Sequence, residues 1–185
     1  MSLAANARRV LDELTATVDR VDTAEAESLV SALSAARSVH VIGVGREGLS
    51  ARAFTMRLMH AGLDAHWVWD DTTPAIGPGD LLLAVSGSGA IGHIDYVARR
   101  AQEQGARLAV VTASANGPTV EAADLVLRVP GSAYRAGDDV VASIQPMGSL
   151  FEQALLVVFD LLLLDLVALR GLGLDELSPR HRNVE

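Results

Sequence analysis

Two short glycine-rich segments have the composition of anion-binding loops. Gly43-Val44-Gly45-Arg46-Glu47-Gly48 follows a β-branched run and precedes a helical pattern, and Ser86-Gly87-Ser88-Gly89 follows a second apolar run in the same way. At strand-to-helix turns, free backbone N–H groups and the positive end of the helix dipole favour negatively charged groups. The two serines add hydroxyl donors. The sequence therefore predicts an anion site, unless both loops are only tight turns that join strands to helices.

The first loop also matches the G-x-G-x-x-G pattern of dinucleotide-binding proteins. Asp70 and Asp71 follow it by a little over twenty residues, about where an acid that binds ribose is expected. Nicotinamide or flavin nucleotide binding is therefore an alternative at this stage. The second loop argues against it, because a dinucleotide site does not need a second phosphate-sized loop.

The composition excludes several other kinds of site. The chain has 23 acidic and 15 basic residues, a net charge of −8, and every basic residue is arginine. Without lysine there is no Schiff-base lysine and no P-loop lysine. An acidic chain without a basic run is also a poor nucleic-acid binder. Its histidines show no metal-ligand spacing, so we expect no metal site; they are residues 40, 60, 66, 93 and 181.

Helical and strand patterns alternate along the chain. We predict N-terminal helices over 1–37, an α/β core over 38–130, a loop at 130–145, and a C-terminal helix and tail over 146–185. The predicted strands are 39–44, 66–69, 80–85, 107–112 and 125–129. They are nearly continuous apolar runs, which is typical of a parallel sheet covered on both faces. The fold prediction is a single α/β domain, 1–185, with a doubly wound, five-stranded parallel sheet of the flavodoxin-like or Rossmann-like kind.

The last predicted helix, about 147–170, is apolar nearly all round. One face carries Leu155, Phe159 and Leu162, and much of the rest carries residues such as Leu161 and Leu164. A helix of this kind is buried on all sides, either within its own domain or between subunits. We expect a homo-oligomer. The apolar stretch 154–169 is short for a membrane span and contains two aspartates, and the N-terminus lacks a signal-peptide pattern, so we expect no membrane contact and a cytoplasmic location.

Taken in order, these segments resemble the sugar isomerase (SIS) domain, and within it the 6-phospho-3-hexuloisomerase branch. Two runs are specific to that branch: Met56-Arg57-Leu58-Met59-His60 and Met147-Gly148-Ser149-Leu150-Phe151-Glu152. The matching stretches cover nearly the whole chain and are 43–48, 51–62, 71–76, 80–83, 86–89, 146–152 and 180–185.

The resemblance implies conversion of D-arabino-hex-3-ulose 6-phosphate to fructose 6-phosphate, without metal or cofactor, by a tetramer in the ribulose monophosphate route. An enediol forms when a base removes the proton beside the carbonyl. Glu152 is the predicted base, and His181 and His60 are the candidate acids. The alternatives are a glutamate stabilised by the helix dipole, a solvated tail histidine and a histidine at a helix end. The predicted substrate- and phosphate-binding residues are Gly45, Arg46, Glu47, Arg57, Ser86, Gly87, Ser88 and Gly89.

The chain departs from the family pattern in the loops that bind phosphate. Glu47 stands where the family commonly has serine, and Ile91 stands where it has threonine. Each lost hydrogen bond to a charged group is worth about 1.5–3 kcal/mol. Phosphate binding is therefore expected to weaken, unless Arg46 compensates or Glu47 points away. Three functions stay open: a phosphohexulose isomerase with an altered loop, a relative acting on another sugar or sugar acid, and a non-catalytic sugar-binding module.

Overall fold

The computed structural model describes residues 2–135 and 139–184. Its centre is the predicted five-stranded parallel sheet, in the order β2-β1-β3-β4-β5. The strands are β1 (Val39–Ile42), β2 (Ala65–Trp67), β3 (Leu81–Val85), β4 (Arg107–Thr112) and β5 (Leu125–Arg128). Of the predicted loop at 130–145, residues 136–138 lie outside the described part of the chain, as does residue 185 of the tail.

The predicted N-terminal helices and the long C-terminal helix form, and further helices lie between the strands. The helices are α1 (Leu3–Val18), α2 (Thr23–Ala35), α3 (Gly45–His60), α4 (Gly92–Glu103), α5 (Pro118–Glu121) and α6 (Ser149–Leu169). The side chain of Asp22 accepts the Glu25 N–H at 3.0 Å and caps α2. The tail after α6 continues into two 3-10 turns, Leu174–Glu176 and Ser178–Arg180.

Three predicted strands are too long at their ends: 39–44 ends at Ile42, 66–69 ends at Trp67 and 125–129 ends at Arg128. β2 stops at Trp67 because the carbonyl of that residue accepts from the Asp70 N–H at 2.9 Å and from the Thr73 hydroxyl at 2.6 Å. These two bonds turn the chain out of the sheet. Trp69 consequently lies outside it and is 44% exposed.

Alternate residues of each strand face opposite sides of the sheet, and both sides are covered. Leu81 and Leu83 of β3 pack into a cluster with α2, α3 and α6, and α1 adds partly buried contacts to it. Leu82 and Ala84 pack into a second cluster under α4 and α5. The helices on both faces confirm the doubly wound arrangement. The loops that follow β1 and β3 are left at the carboxyl edge of the sheet.

The opposite edge is tied together by Asp80, directly before β3. Its side chain accepts from Arg37 Nε and Nη2 at 2.9 and 2.7 Å, from Ser38 Oγ at 2.8 Å and from the Gly77 N–H at 2.8 Å. The Arg37 bonds, with smaller help from Ser38 and Gly77, hold the pKa of Asp80 well below its usual value against the effect of burial. Asp80 therefore holds the starts of β1 and β3 in register.

Helix α6 is only partly covered by its own chain. Leu155, Phe159 and Leu162 are buried against the sheet side. A strip on the other side stays 42–53% exposed; it consists of Leu156, Val157, Leu161 and Leu164. Burial on all sides is thus not achieved within one molecule. No helix in the described ranges has the length and apolar content needed to cross a membrane.

Candidate active site

The two glycine loops lie side by side because β1 and β3 are neighbours in the sheet. In the first loop, a Cβ on Gly48 would lie 2.8 Å from the carbonyl carbon of Gly43, so only glycine permits this tight turn. Helix α3 begins at Gly45, where φ is +60°. The second loop turns sharply, since the Gly89 N–H donates to the Ser86 carbonyl at 3.0 Å.

Glu47 joins the two loops. Its Oε2 accepts a hydrogen bond from the Gly87 N–H at 2.8 Å. Burial, aided by the nearby charge of Glu152 and opposed by the Gly87 bond, raises the pKa of Glu47 to about 7. The second carboxyl oxygen, Oε1, is buried and has no hydrogen-bond partner among the described residues. Of the two alternatives that the sequence left open for this loop, the one in which Glu47 points away is therefore excluded.

Gly87 leaves no room for a side chain. A Cβ there would lie 2.9 Å from the Cβ of Ala133, 3.0 Å from Cε1 of Phe151 and 3.1 Å from Oε2 of Glu47. The segment after β5 and the start of α6 therefore close directly on the second loop. Ser86, beside Gly87, is fully buried, and its hydroxyl oxygen also lacks a partner among the described residues.

In the rest of the second loop, Ser88 is half-buried and Gly89 is buried. The Ser88 hydroxyl accepts from the Ala90 N–H at 3.3 Å, so that its own hydrogen is available to another acceptor. Ile91 stands at the start of α4 and makes no side-chain cap. The hydroxyl donor that the family pattern has at this position is accordingly absent here.

Glu152 lies in the first turn of α6, held by α3. Nη1 of Arg46 is 2.8 Å from Oε2 of Glu152 and also donates to the Ser149 hydroxyl at 3.0 Å. The Ser50 hydroxyl donates to the Glu152 carbonyl at 3.0 Å and fixes the start of α6 against α3. The Glu152 side chain is 19% exposed and that of Arg46 is 59% exposed. The carboxylate is thus fixed at an accessible position close to Glu47.

Three predicted site residues lie at the other end of α3. Arg57 is exposed and His60 is buried there. Ser50 is level with Glu152, and the ten residues from Ser50 to His60 span about 15 Å along the helix axis. A single chain therefore does not bring Arg57 or His60 to the loops.

His181 accompanies His60 at that end. The two rings stack with their centroids 5.3 Å apart. Nη1 of Arg180 donates to the His60 carbonyl at 3.2 Å and anchors the tail on the end of α3. Burial first, and then the charges of Arg57 and His181, lower the pKa of His60. The two histidines form one pair, remote from Glu152 of the same chain.

Ser149 is a site residue that the sequence-based prediction missed. It lies three residues before Glu152 on α6, and residues at that spacing share a helix face. The spacing was the available signal, but it does not show that Arg46 reaches both side chains. Asp70, the candidate ribose ligand of a dinucleotide site, instead accepts from Nη2 of Arg52 at 3.1 Å. In residues 2–135 and 139–184, no cluster of three His, Asp or Glu side chains could hold a metal ion.

Comparisons with known proteins match most of this chain. The model of the SIS domain matches residues 32–157, which include both loops and Glu152. The 3-hexulose-6-phosphate isomerase of Bacillus subtilis is 35% identical over 176 residues, or 95% of each chain. The protein of the same name from Mycobacterium gastri is 39% identical over 180 residues, covering 97% of this chain and 90% of its own.

A solved structure extends the likeness to three dimensions. It is that of a Methanococcus jannaschii protein whose structure was described as inferring a function of 3-hexulose-6-phosphate isomerase. It matches with a TM-score of 0.82 at 27% identity, over 96% of this chain and 98% of that one. The resemblance predicted from the sequence is confirmed, and the chain belongs to the SIS domain family.

Proposed function

We propose that this chain is an isomerase that interconverts D-arabino-hex-3-ulose 6-phosphate and fructose 6-phosphate. The observation that carries the proposal is the carboxylate of Glu152, which Arg46 holds at 2.8 Å beside the two glycine loops. Its support from outside the structure is the identity of 35% and 39% with two proteins named 3-hexulose-6-phosphate isomerase.

The reaction needs one carboxylate that can reach two adjacent carbons. From fructose 6-phosphate, Glu152 takes the proton of C3 while the electrons of that C–H bond form the C2–C3 double bond of the enediol. The C2 carbonyl oxygen gains a proton. Return of the proton from Glu152 to C2, with loss of the O3 proton, leaves the carbonyl at C3. The Arg46 guanidinium lies where it can stabilise the negative charge that develops on these oxygens.

The loops serve as the phosphate end of the site. The Ser88 hydroxyl and the backbone N–H groups at the start of α3 are donors of the kind that hold phosphate. The other predicted phosphate-binding residues of the two loops are Gly45, Arg46, Glu47, Ser86, Gly87 and Gly89. Binding at this end would place the sugar carbons toward α6 and Glu152.

The acid that serves the oxygens is assigned to a neighbouring subunit. His60 lies about 15 Å along α3 from the level of Glu152 in the same chain, with the His181 ring stacked on it and the charge of Arg57 nearby. Within the proposal, these residues act on the site of another copy in a homotetramer. The exposed apolar strip on α6, from Leu156 to Leu164, supports such an assembly. The cytoplasmic location expected from the sequence is kept as part of the same proposal.

A second candidate is favoured by one observation. The Glu47 carboxyl already occupies the Gly87 N–H, a donor that an anion-binding loop would offer to its ligand. A SIS-domain protein that acts on another carbohydrate derivative, or binds it without catalysis, would also show this contact. A thermal-shift comparison of fructose 6-phosphate with fructose separates the two. The isomerase predicts stabilisation by the phosphorylated sugar, and the second candidate predicts stabilisation by the sugar without phosphate.

Proton exchange tests the reaction itself. The protein is incubated with fructose 6-phosphate in D₂O, and the sugar protons are followed by NMR. The proposal predicts loss of the C3 proton signal. Exchange at C1 instead would indicate an aldose–ketose isomerase, and no exchange at high protein concentration would contradict an isomerase of this substrate.

A further inference from the structure

One carboxyl oxygen in the phosphate end of the site lacks a donor. Oε2 of Glu47 takes the Gly87 N–H at 2.8 Å, but Oε1 is buried without a partner among the described residues. A buried ionised oxygen without a hydrogen bond is costly, whereas a protonated one becomes a donor that a ligand can use. Oε2 thus accepts the hydrogen bond from the second loop, and Oε1 is the oxygen that can carry a proton.

The charges around Glu47 also favour its neutral form. From α6 it faces the carboxylate of Glu152, and the neighbouring cation, Arg46, is already paired with Glu152 at 2.8 Å. The second loop contributes only serines and backbone groups. The segment after β5 contributes Tyr134 and Arg135, which pack on each other, with the guanidinium 5.2 Å from the ring centroid. If Glu47 were ionised, a phosphate dianion placed here would meet the carboxylates of Glu47 and Glu152, while Arg46 is already paired with Glu152 and Arg135 is packed on Tyr134.

We propose that Glu47 binds the substrate phosphate as a neutral acid: when the ligand binds, the side chain turns its buried Oε1 toward the ligand and donates the proton of that oxygen to a phosphate oxygen, so that binding of a phosphosugar is coupled to uptake of a proton. This inference rests on the proposed function, since it takes the substrate to be phosphorylated. Glu47 then supplies the first loop with the kind of O–H donor that Ser88 supplies in the second. It is a specificity-determining residue, and it makes substrate affinity depend on pH.

The coupling has a definite size. Because the pKa of Glu47 is about 7, Glu47 is protonated, and so able to donate to phosphate, in half of the molecules at pH 7 and in about one in a hundred at pH 9. The KM for the phosphosugar is then expected to rise about fifty-fold between these values. The phosphate itself titrates near pH 6, well below this range, and does so equally for every variant. The kcat is not expected to follow the same curve, because Glu47 acts in binding.

The test compares KM profiles for fructose 6-phosphate from pH 6 to 9. Glu47→Gln keeps the size of the side chain and an N–H donor but cannot titrate. Its KM is expected to stay flat above pH 7 and to fall below that of the wild type at pH 9. Glu27→Gln makes the same chemical change on the exposed face of α2 and is expected to keep the wild-type profile. Parallel profiles for wild type and Glu47→Gln would overturn the inference.

Proton uptake gives a second readout that does not need turnover. Calorimetric titration with fructose 6-phosphate at pH 8, in two buffers of different ionisation enthalpy, counts the protons bound. We expect nearly one for the wild type and none for Glu47→Gln. Proton uptake without C3 exchange would contradict the isomerase and retain this inference. C3 exchange without proton uptake would support the isomerase and overturn this inference. No binding of the sugar phosphate at pH 6 overturns the inference.

Discussion

Asp80 ties together the starts of β1 and β3, the two strands that end in the glycine loops, and its replacement has a cost that can be worked out. In Asp80→Asn, one oxygen remains to accept while the new amide group faces donors. Each oxygen accepts one bond from Arg37, so one of these two bonds is lost, and its donor is satisfied by water because the Arg37 side chain is 66% exposed. The amide group also replaces the acceptor of one further bond, that from Ser38 or that from Gly77, each 2.8 Å long. This bond is not recovered from water, because the Asp80 side chain is fully buried.

Loss of a buried hydrogen bond to a charged group, with a donor left unsatisfied, is expected to lower the free energy of unfolding by about 3 kcal/mol. At 2–4 °C per kcal/mol for a chain of this length, the melting temperature falls by about 6–12 °C. The effect depends on pH in a defined direction. Because the folded-state pKa of Asp80 is lowered, its stabilisation is present above the unfolded value, about 3.9, and is lost as pH falls through the folded value.

Chemical and thermal unfolding, followed by circular dichroism at pH 7 and in steps below pH 5, checks this prediction. The difference between wild type and Asp80→Asn is expected to be full at pH 7 and to shrink below about pH 4. Asp12→Asn removes an exposed carboxylate from α1 and serves as the matched control, with a change within about 0.5 kcal/mol. A loss that small for Asp80→Asn, or a difference that grows as pH falls, would refute the reasoning.

Three further predictions concern the site and the assembly. Arg46→Met is expected to lower kcat about ten- to a hundredfold with a smaller effect on KM, because Glu152 loses its fixed position. Steady-state kinetics checks this, with Arg52→Met, which loses only an exposed ion pair, as the control. Equal effects of the two substitutions would contradict the prediction. Leu161→Glu places a charge on the exposed strip of α6 and is expected to reduce the mass measured by light scattering, whereas an unchanged mass would exclude this strip from the interface. If the acid comes from a neighbouring subunit, inactive Glu152→Gln and His181→Ala proteins that are mixed, dissociated and reassembled are expected to recover part of the activity. No recovery would indicate that Glu152 and His181 act in the same chain.

The elements were predictable because their patterns are local. Runs of apolar residues mark the strands, and glycines mark the turns that follow β1 and β3. The end of β2 was not predictable, because it depends on a hydrogen bond from Thr73, six residues further along, to the Trp67 carbonyl. Likewise, the apolar composition of α6 shows what the helix contains but not which side its own chain covers.

The proximity of the two loops and Glu152 could be predicted from the sequence, whereas the individual contacts between them could not. Both loops and Glu152 are close in the structure, as their places in the chain suggested. The contact between Glu47 and the Gly87 N–H depends on β1 and β3 being neighbours and on the clearance at Gly87, neither of which is written in local sequence. The pairing of His60 with His181 depends on the path of the tail, which Arg180 fixes through a backbone carbonyl.

The central claim is that the carboxylate of Glu152 moves the proton between C3 and C2 of a phosphorylated hexulose. It is tested most directly by measuring the rate of C3 deuterium incorporation into fructose 6-phosphate for the wild type and for Glu152→Gln. The account predicts exchange in the wild type and a rate about a hundred- to ten-thousandfold lower in Glu152→Gln, with an unchanged circular dichroism spectrum. Exchange at the wild-type rate in Glu152→Gln would show that another group is the base and would contradict the account.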